Sequence, residues 1–133
     1  MDLIKKFINT KPLHAEIICS QFLKTFPNDI DGLNLMGVIK HILNKDEESL
    51  DFNLKSLSLN KESPDVYNNI ALNYASLGDF EKSIEMLNNA LKFKKSHFYY
   101  NNLALQYRQL RKYKEAIDLL KTALKIKKDT QVL

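Results

Sequence analysis

Apolar and small residues recur along this chain with the period of a helix, and the recurrence itself repeats. Tyr67, Ile70, Ala71 and Tyr74 fall at i, i+3, i+4 and i+7, one face of an α-helix. A second stripe, Phe80, Ser83, Ile84, Leu87, Ala90 and Leu91, follows the break at Leu77-Gly78-Asp79. Ser63 is a good N-cap, and Pro64 suits a first helical turn, where its missing N–H costs nothing. Gly78 is free to take the left-handed conformation that ends a helix, and Asp79 is placed to cap the next one. Residues 64 to about 94 are therefore expected to form a helix-turn-helix hairpin.

The hairpin is written more than once. YNNIALNY, Tyr67 to Tyr74, returns as YNNLALQY, Tyr100 to Tyr107, with six identities in eight at an offset of 33. Tyr100, Leu103, Ala104 and Tyr107 are followed by Tyr113, Ala116, Ile117, Leu120, Ala123 and Leu124. An earlier copy runs through Leu33, Met36 and Gly37, then Ser49, Leu50, Ser56 and Leu57. Upstream, Ala15, Cys19, Leu23 and Pro27 read as the second helix of a shorter unit, with residues 2 to 10 as its first. The expected division is a helix pair over 2–29, repeats over 30–63, 64–96 and 97–130, and the start of a further repeat at 131–133.

At this point the chain resembles the tetratricopeptide repeats, helix pairs of about 34 residues that follow W-x2-L-G-x2-Y, then A-x3-F, then P. Tyr67, Ile70, Ala71, Tyr74, Ser83, Leu87 and Ala90 carry the resemblance, and Tyr100, Leu103, Ala104, Tyr107, Ala116, Leu120 and Ala123 repeat it. It implies an all-α fold, a right-handed superhelix of antiparallel helix pairs with a concave groove, and a module that binds an extended peptide or a partner helix. Lys40 departs from the pattern where a Tyr is expected, and Asn53 where a large apolar residue is expected. Lys61, Lys95 and Lys128 replace the repeat-ending proline. Arg111-Lys112 replaces Gly-Asp, so a looser last turn is expected.

The repeated letters are mostly packing letters, and the Asn pairs are the exception. Asn68-Asn69 and Asn101-Asn102 lie in helix interiors, where propensity does not call for asparagine. Their amides can both donate to and accept from a peptide backbone, or they can bond locally or to water. In some members of the family, including repeats attached to glycosyltransferases, asparagines form a ladder along the groove. Asn69 and Asn102 match that position and Leu35 does not. Val38, Leu72 and Leu105 form a matching row one turn on, which either faces the groove or packs helix on helix, and Arg108 with Gln109 offers a local anion contact. The candidate peptide-binding residues are thus Asn68, Asn69, Leu72, Asn101, Asn102, Leu105 and Arg108. The carboxylate clamp by which some members hold chaperone tails is not expected. Asn34, Val38, Phe98 and Asn102 occupy most of its cationic positions, and Asn69 alone matches.

Composition narrows the remaining choices. Three Gly and three Pro are too few for a sheet protein with many tight turns. The net charge of +4 arises from 20 Lys plus Arg interleaved with 16 Asp plus Glu, and Lys outnumbers Arg 18 to 2, a weak nucleic-acid signal. One cysteine, Cys19, excludes an internal disulfide and fits a reducing, cytoplasmic setting as a buried thiol. His14, His41 and His97 are far apart, and Asp46-Glu47-Glu48 suits a helix start. No phosphate loop or nucleophile elbow occurs. The reading is a non-enzyme with no cofactor and no metal.

Two alternatives accompany it: a substrate-presenting segment of a larger transferase, and a repeat protein that binds RNA through its lysines. Ile117, Leu120 and Leu124 are expected to be partly exposed at the end of the array, which raises self-association through the last helix or a longer natural chain.

Overall fold

The computed structural model describes residues 2–132, and all regular structure among them is helical: α1 (Asp2–Phe7), α2 (Pro12–Thr25), α3 (Ile30–Ile42), α4 (Asp46–Leu59), α5 (Pro64–Ser76), α6 (Phe80–Phe93), α7 (His97–Gln109) and α8 (Tyr113–Val132). The helices fall into two compact units, Met1–Glu62 with α1 to α4 and Ser63–Leu133 with α5 to α8. Within each unit, consecutive helices pack on one another. The loops joining them are short, which makes neighbours antiparallel.

In the first unit Ile4, Ala15, Cys19, Met36 and Ile39 form the core, with Phe7, Leu23, Leu43 and Phe52 packed around them. The Cys19 thiol donates to the Gly32 carbonyl at 3.4 Å, and burial raises its pKa to about 11, so it remains an unreactive thiol. In the second unit the core is Ala71, Leu87, Ala90, Tyr99 and Leu103. Small residues let the helices approach while Leu87 fills the gap, a burial that stabilises by about 1.5–3 kcal/mol.

Serine replaces alanine at the tight crossing of two hairpins. Ser49 Oγ donates to the Gly37 carbonyl at 2.6 Å, and Ser83 Oγ donates to the Ala71 carbonyl at 2.8 Å. Each hydroxyl is thereby satisfied inside the core. The two departures in the first unit are also accommodated. Asn53 lies over Gly37, so closely that a Cβ at Gly37 would be 2.1 Å from its Oδ1. Lys40 pairs with Glu16 of α2 at 2.7 Å and with Glu48 of α4 at 3.2 Å, so its stem packs while its charge is neutralised.

The α3–α4, α5–α6 and α7–α8 hairpins turn through one backbone conformation. Asn44, Gly78 and Arg111 take φ of 60°, 85° and 61°. The next amide returns to a carbonyl five residues back, Lys45 to Lys40 at 2.8 Å, Asp79 to Tyr74 at 2.8 Å and Lys112 to Tyr107 at 2.9 Å. The looser turn expected at Arg111-Lys112 is therefore absent, because backbone bonds set the geometry and Arg111 tolerates the left-handed region. Asp79 caps α6 by accepting from the Lys82 amide at 3.1 Å. The Ser63 hydroxyl makes no cap bond, and α5 starts on the Ser63 carbonyl instead.

Two ends differ from expectation. The first helix stops at Phe7 rather than running to residue 10, as Ile8-Asn9-Thr10 turn toward α2. No loop interrupts the chain at Asp129-Thr130. Lys128 lacks the helix-breaking power of the family's proline, and Thr130 Oγ1 donates back to the Ile126 carbonyl at 2.9 Å within a continuous α8. Gln131 and Val132 belong to this same helix, and the expected new start at Leu133 lies outside the described residues.

Candidate functional site

The seven candidate residues divide between two helices of the second unit. Asn68, Asn69 and Leu72 lie on α5 and are half-buried. On α7, Asn101, Leu105 and Arg108 fall at i, i+4 and i+7 and all three are exposed, while Asn102 is half-buried. Phe98, one turn before Asn101, extends the exposed stripe and is 63% accessible, with its ring centroid 4.0 Å from that of His97. In the sequence Phe98 stands out only as a departure from the chaperone-tail clamp. Its spacing to Asn101 and Leu105 is the signal that marks a wider role.

Side-chain bonds tie α5 to α7. Asn102 Nδ2 donates to Asn68 Oδ1 at 2.9 Å, and the Tyr99 hydroxyl donates to the Asp65 carboxylate. Asp65 and Asn68 are one turn apart, as are Tyr99 and Asn102, so the bonds form two successive rungs. Burial, and then the Asp65 carboxylate, push the Tyr99 phenol well above its ordinary range, so it stays a neutral donor. Below the rungs, Gln106 Nε2 donates to the Asn102 carbonyl at 3.2 Å. Gln106 Oε1 is buried without a hydrogen-bond partner among the described residues.

The rungs do not join equivalent positions. The letters repeat at 33, but both bonds span 34 residues, because neighbouring first helices are staggered and the side chain that reaches across is one position on. Of the two ladder positions, Asn102 is thus engaged with Asn68, while Asn69 lies on the half-buried shoulder of α5.

The remaining chemistry-bearing groups are placed by local structure. His41 Nδ1 bonds Asp46 Oδ1 at 2.6 Å across the α3–α4 turn, and Asp46, Glu47 and Glu48 occupy the first turn of α4. His14 lies beside the Phe7 ring. Among the described residues no three His, Cys, Asp or Glu side chains converge on a metal site, and no helix is long and apolar enough to cross a membrane. In the first unit, a depression of about 390 Å³ is lined by Ile17, Ser20, Met36, Phe52 and the Glu16–Lys40 pair.

A model of the tetratricopeptide repeat matches residues 64–97, and a second with the same description matches residues 97–130. No curated protein matches the sequence. Solved structures do. The crystal structure of MamA is 20% identical, with a TM-score of 0.89 over 100% of this chain and 79% of that one. TTC0263, a thermophilic tetratricopeptide repeat protein of Thermus thermophilus, is 19% identical, with a TM-score of 0.77 over 84% of this chain and 63% of that one. The APC/C hetero-tetramer Cut9–Hcn1 gives 17% identity and a TM-score of 0.80 over 90% of this chain and 23% of that one. At such identities the likeness is one of fold.

Proposed function

From the premise that this chain belongs to the tetratricopeptide repeat family, whose repeats serve in general as protein-interaction scaffolds, we propose that the α5–α7 face is its peptide-binding surface. The reading is of an adaptor that holds an extended segment or partner helix and carries out no chemistry of its own. What supports it most is the stripe Phe98, Asn101, Leu105 and Arg108, exposed along one side of α7 and held in register with α5 by two rungs. A rigid first helix lowers the ordering cost of binding.

Each residue has a role under this reading. Phe98, Leu72 and Leu105 bury apolar side chains of the bound segment. Asn101 and Asn69 pair with its backbone, since an amide donates and accepts without regard to side chains. Asn68 and Asn102 hold the register and present the lone pair and N–H groups left over from their mutual bond. Arg108 favours an acidic or C-terminal group at one end. The fold-level likeness to a protein of the Cut9–Hcn1 hetero-tetramer is in keeping with an assembly role.

The test is selection of random displayed peptides on the full chain, followed by titration of the selected peptides against variants. Leu105→Glu and the pair Phe98→Ala with Asn101→Ala are expected to weaken binding about tenfold or more. Selected peptides that bind all these variants as well as the parent would remove the face from consideration.

A further inference from the structure

We infer that the outer face of α8 is a second interaction surface, built to receive an amphipathic helix with acidic flanks. Two helices of one unit carry the same letters with opposite exposure. Ile84, Leu87 and Leu91 of α6 correspond at the 33-residue offset to Ile117, Leu120 and Leu124 of α8. In α6, Leu87 is 0% exposed, and Ile84 and Leu91 are half-buried against the core that α7 shares. In α8 the same letters stand open, with Ile117 at 52%, Leu120 at 49% and Leu124 at 54% exposure. Tyr113, also exposed, extends the strip by one turn. A contiguous apolar strip of this kind marks an interaction surface, and the packing of α7 on α6 supplies the template for what fits it, namely a helix lying alongside.

The strip is a heptad seam. Tyr113, Ile117, Leu120 and Leu124 are spaced by four, three and four, alternating d and a positions. The e positions that border it are Lys114, Lys121 and Lys128, all exposed. The g positions are Ala116 and Ala123, both buried within the unit. The equivalents of the three lysines in the preceding hairpin are Glu81, Asn88 and Lys95, so the uniformly basic border is peculiar to α8 in this unit. Among the described residues, Asp129 is the one acidic side chain in the shallow depression formed by Lys121, Leu124, Lys125 and Lys128.

This charge pattern decides the occupant. In an antiparallel pair of two copies, the e-position lysines of one α8 would face those of the other. In a parallel pair they would face the g positions, which are alanines already buried against α7 and unable to answer a charge. A second copy is disfavoured in either orientation, whereas a helix with Leu or Ile along its seam and Glu beside it meets both demands.

The experiment uses the full chain and two labelled helical peptides that share one Leu seam, flanked by Glu in the first and by Lys in the second. Fluorescence anisotropy is expected to show the Glu peptide binding about tenfold tighter or more, the worth of three exposed ion pairs, with the gap narrowing as salt is raised. The variant K114E/K121E/K128E changes only exposed side chains and is expected to reverse the preference, with helicity by circular dichroism unchanged. Leu120→Asp is expected to abolish binding of the Glu peptide, and Leu105→Glu on α7 to leave it intact. Equal affinity for the two peptides, binding of neither, loss through Leu105→Glu instead of Leu120→Asp, or a dimer in sedimentation that Leu120→Asp dissolves would each overturn the proposal.

Discussion

Asn102 of α7 donates its side-chain amide to Asn68 of α5 at 2.9 Å, joining two helices that belong to successive repeats. Removing one partner leaves a half-buried amide unmatched, a loss of about 1 kcal/mol. Asn102→Ala and Asn68→Ala are each expected to lower stability by that amount in urea unfolding, with the double variant short of additive. Asn69→Ala and Asn101→Ala are expected to be nearly neutral, which makes those two the cleaner probes of peptide binding. An unmoved midpoint for Asn102→Ala would show the rung to be energetically idle.

Gly37 faces two opposed effects on substitution. Alanine in a helix interior gains about 1 kcal/mol of propensity, but its Cβ would lie 2.1 Å from Asn53 Oδ1 and 2.9 Å from its Cγ. Overpacking of a core costs about 1–3 kcal/mol and wins. Gly37→Ala is expected to be destabilised in thermal unfolding, and adding Asn53→Ala to restore most of the loss. A Gly37→Ala protein more stable than the parent would contradict the contact.

Arg111 occupies the left-handed region at φ 61°, where a residue with a Cβ is disfavoured by about 1–2 kcal/mol. Glycine there relieves the strain and loosens the unfolded chain at a cost of about 0.4–1 kcal/mol. The balance favours Arg111→Gly, with a rise of a few degrees expected in Tm by calorimetry. A fall in Tm would mean that the Arg111 side chain contributes more than its backbone costs.

Glu16 accepts from Lys40 at 2.7 Å and from Lys45 at 3.2 Å. These bonds, the Lys40 bond above all, outweigh desolvation and hold its carboxyl below the ordinary value of 4.5. A depressed acid stabilises the fold above its unfolded pKa and loses that contribution as pH falls through the folded one. The parent is therefore expected to be more stable than Glu16→Gln at neutral pH, with the difference shrinking as pH drops below 4.5. A difference that is independent of pH would assign the effect to packing instead.

Much of the fold was legible in the sequence because its determinants are local. The stripe Tyr67, Ile70, Ala71 and Tyr74 needs only the helical period to be read, and Gly78-Asp79 only backbone preference and a cap. Arg111-Lys112 misleads for the same reason. Side-chain identity argues for a loose turn, whereas the returning backbone bond from Lys112 to Tyr107 closes it as in the α3–α4 and α5–α6 hairpins. The candidate stripe was half legible. Asn101, Leu105 and Arg108 share a face by spacing alone, but Phe98 joins them only once α7 shows which side is open.

What the sequence determined by itself is the set of helix pairs, their phase and their membership of one repeat family, since these depend on residues within one or two turns of each other. What only the tertiary structure decided is which residues meet across helices. The letters recur at 33 and the rungs at 34; Lys40 is harboured by Glu16; and Ile117, Leu120 and Leu124 are exposed where their α6 counterparts are buried or half-buried. Stagger, pairing and exposure arise from how whole helix surfaces interlock, and the partners in that fit lie tens of residues apart along the chain.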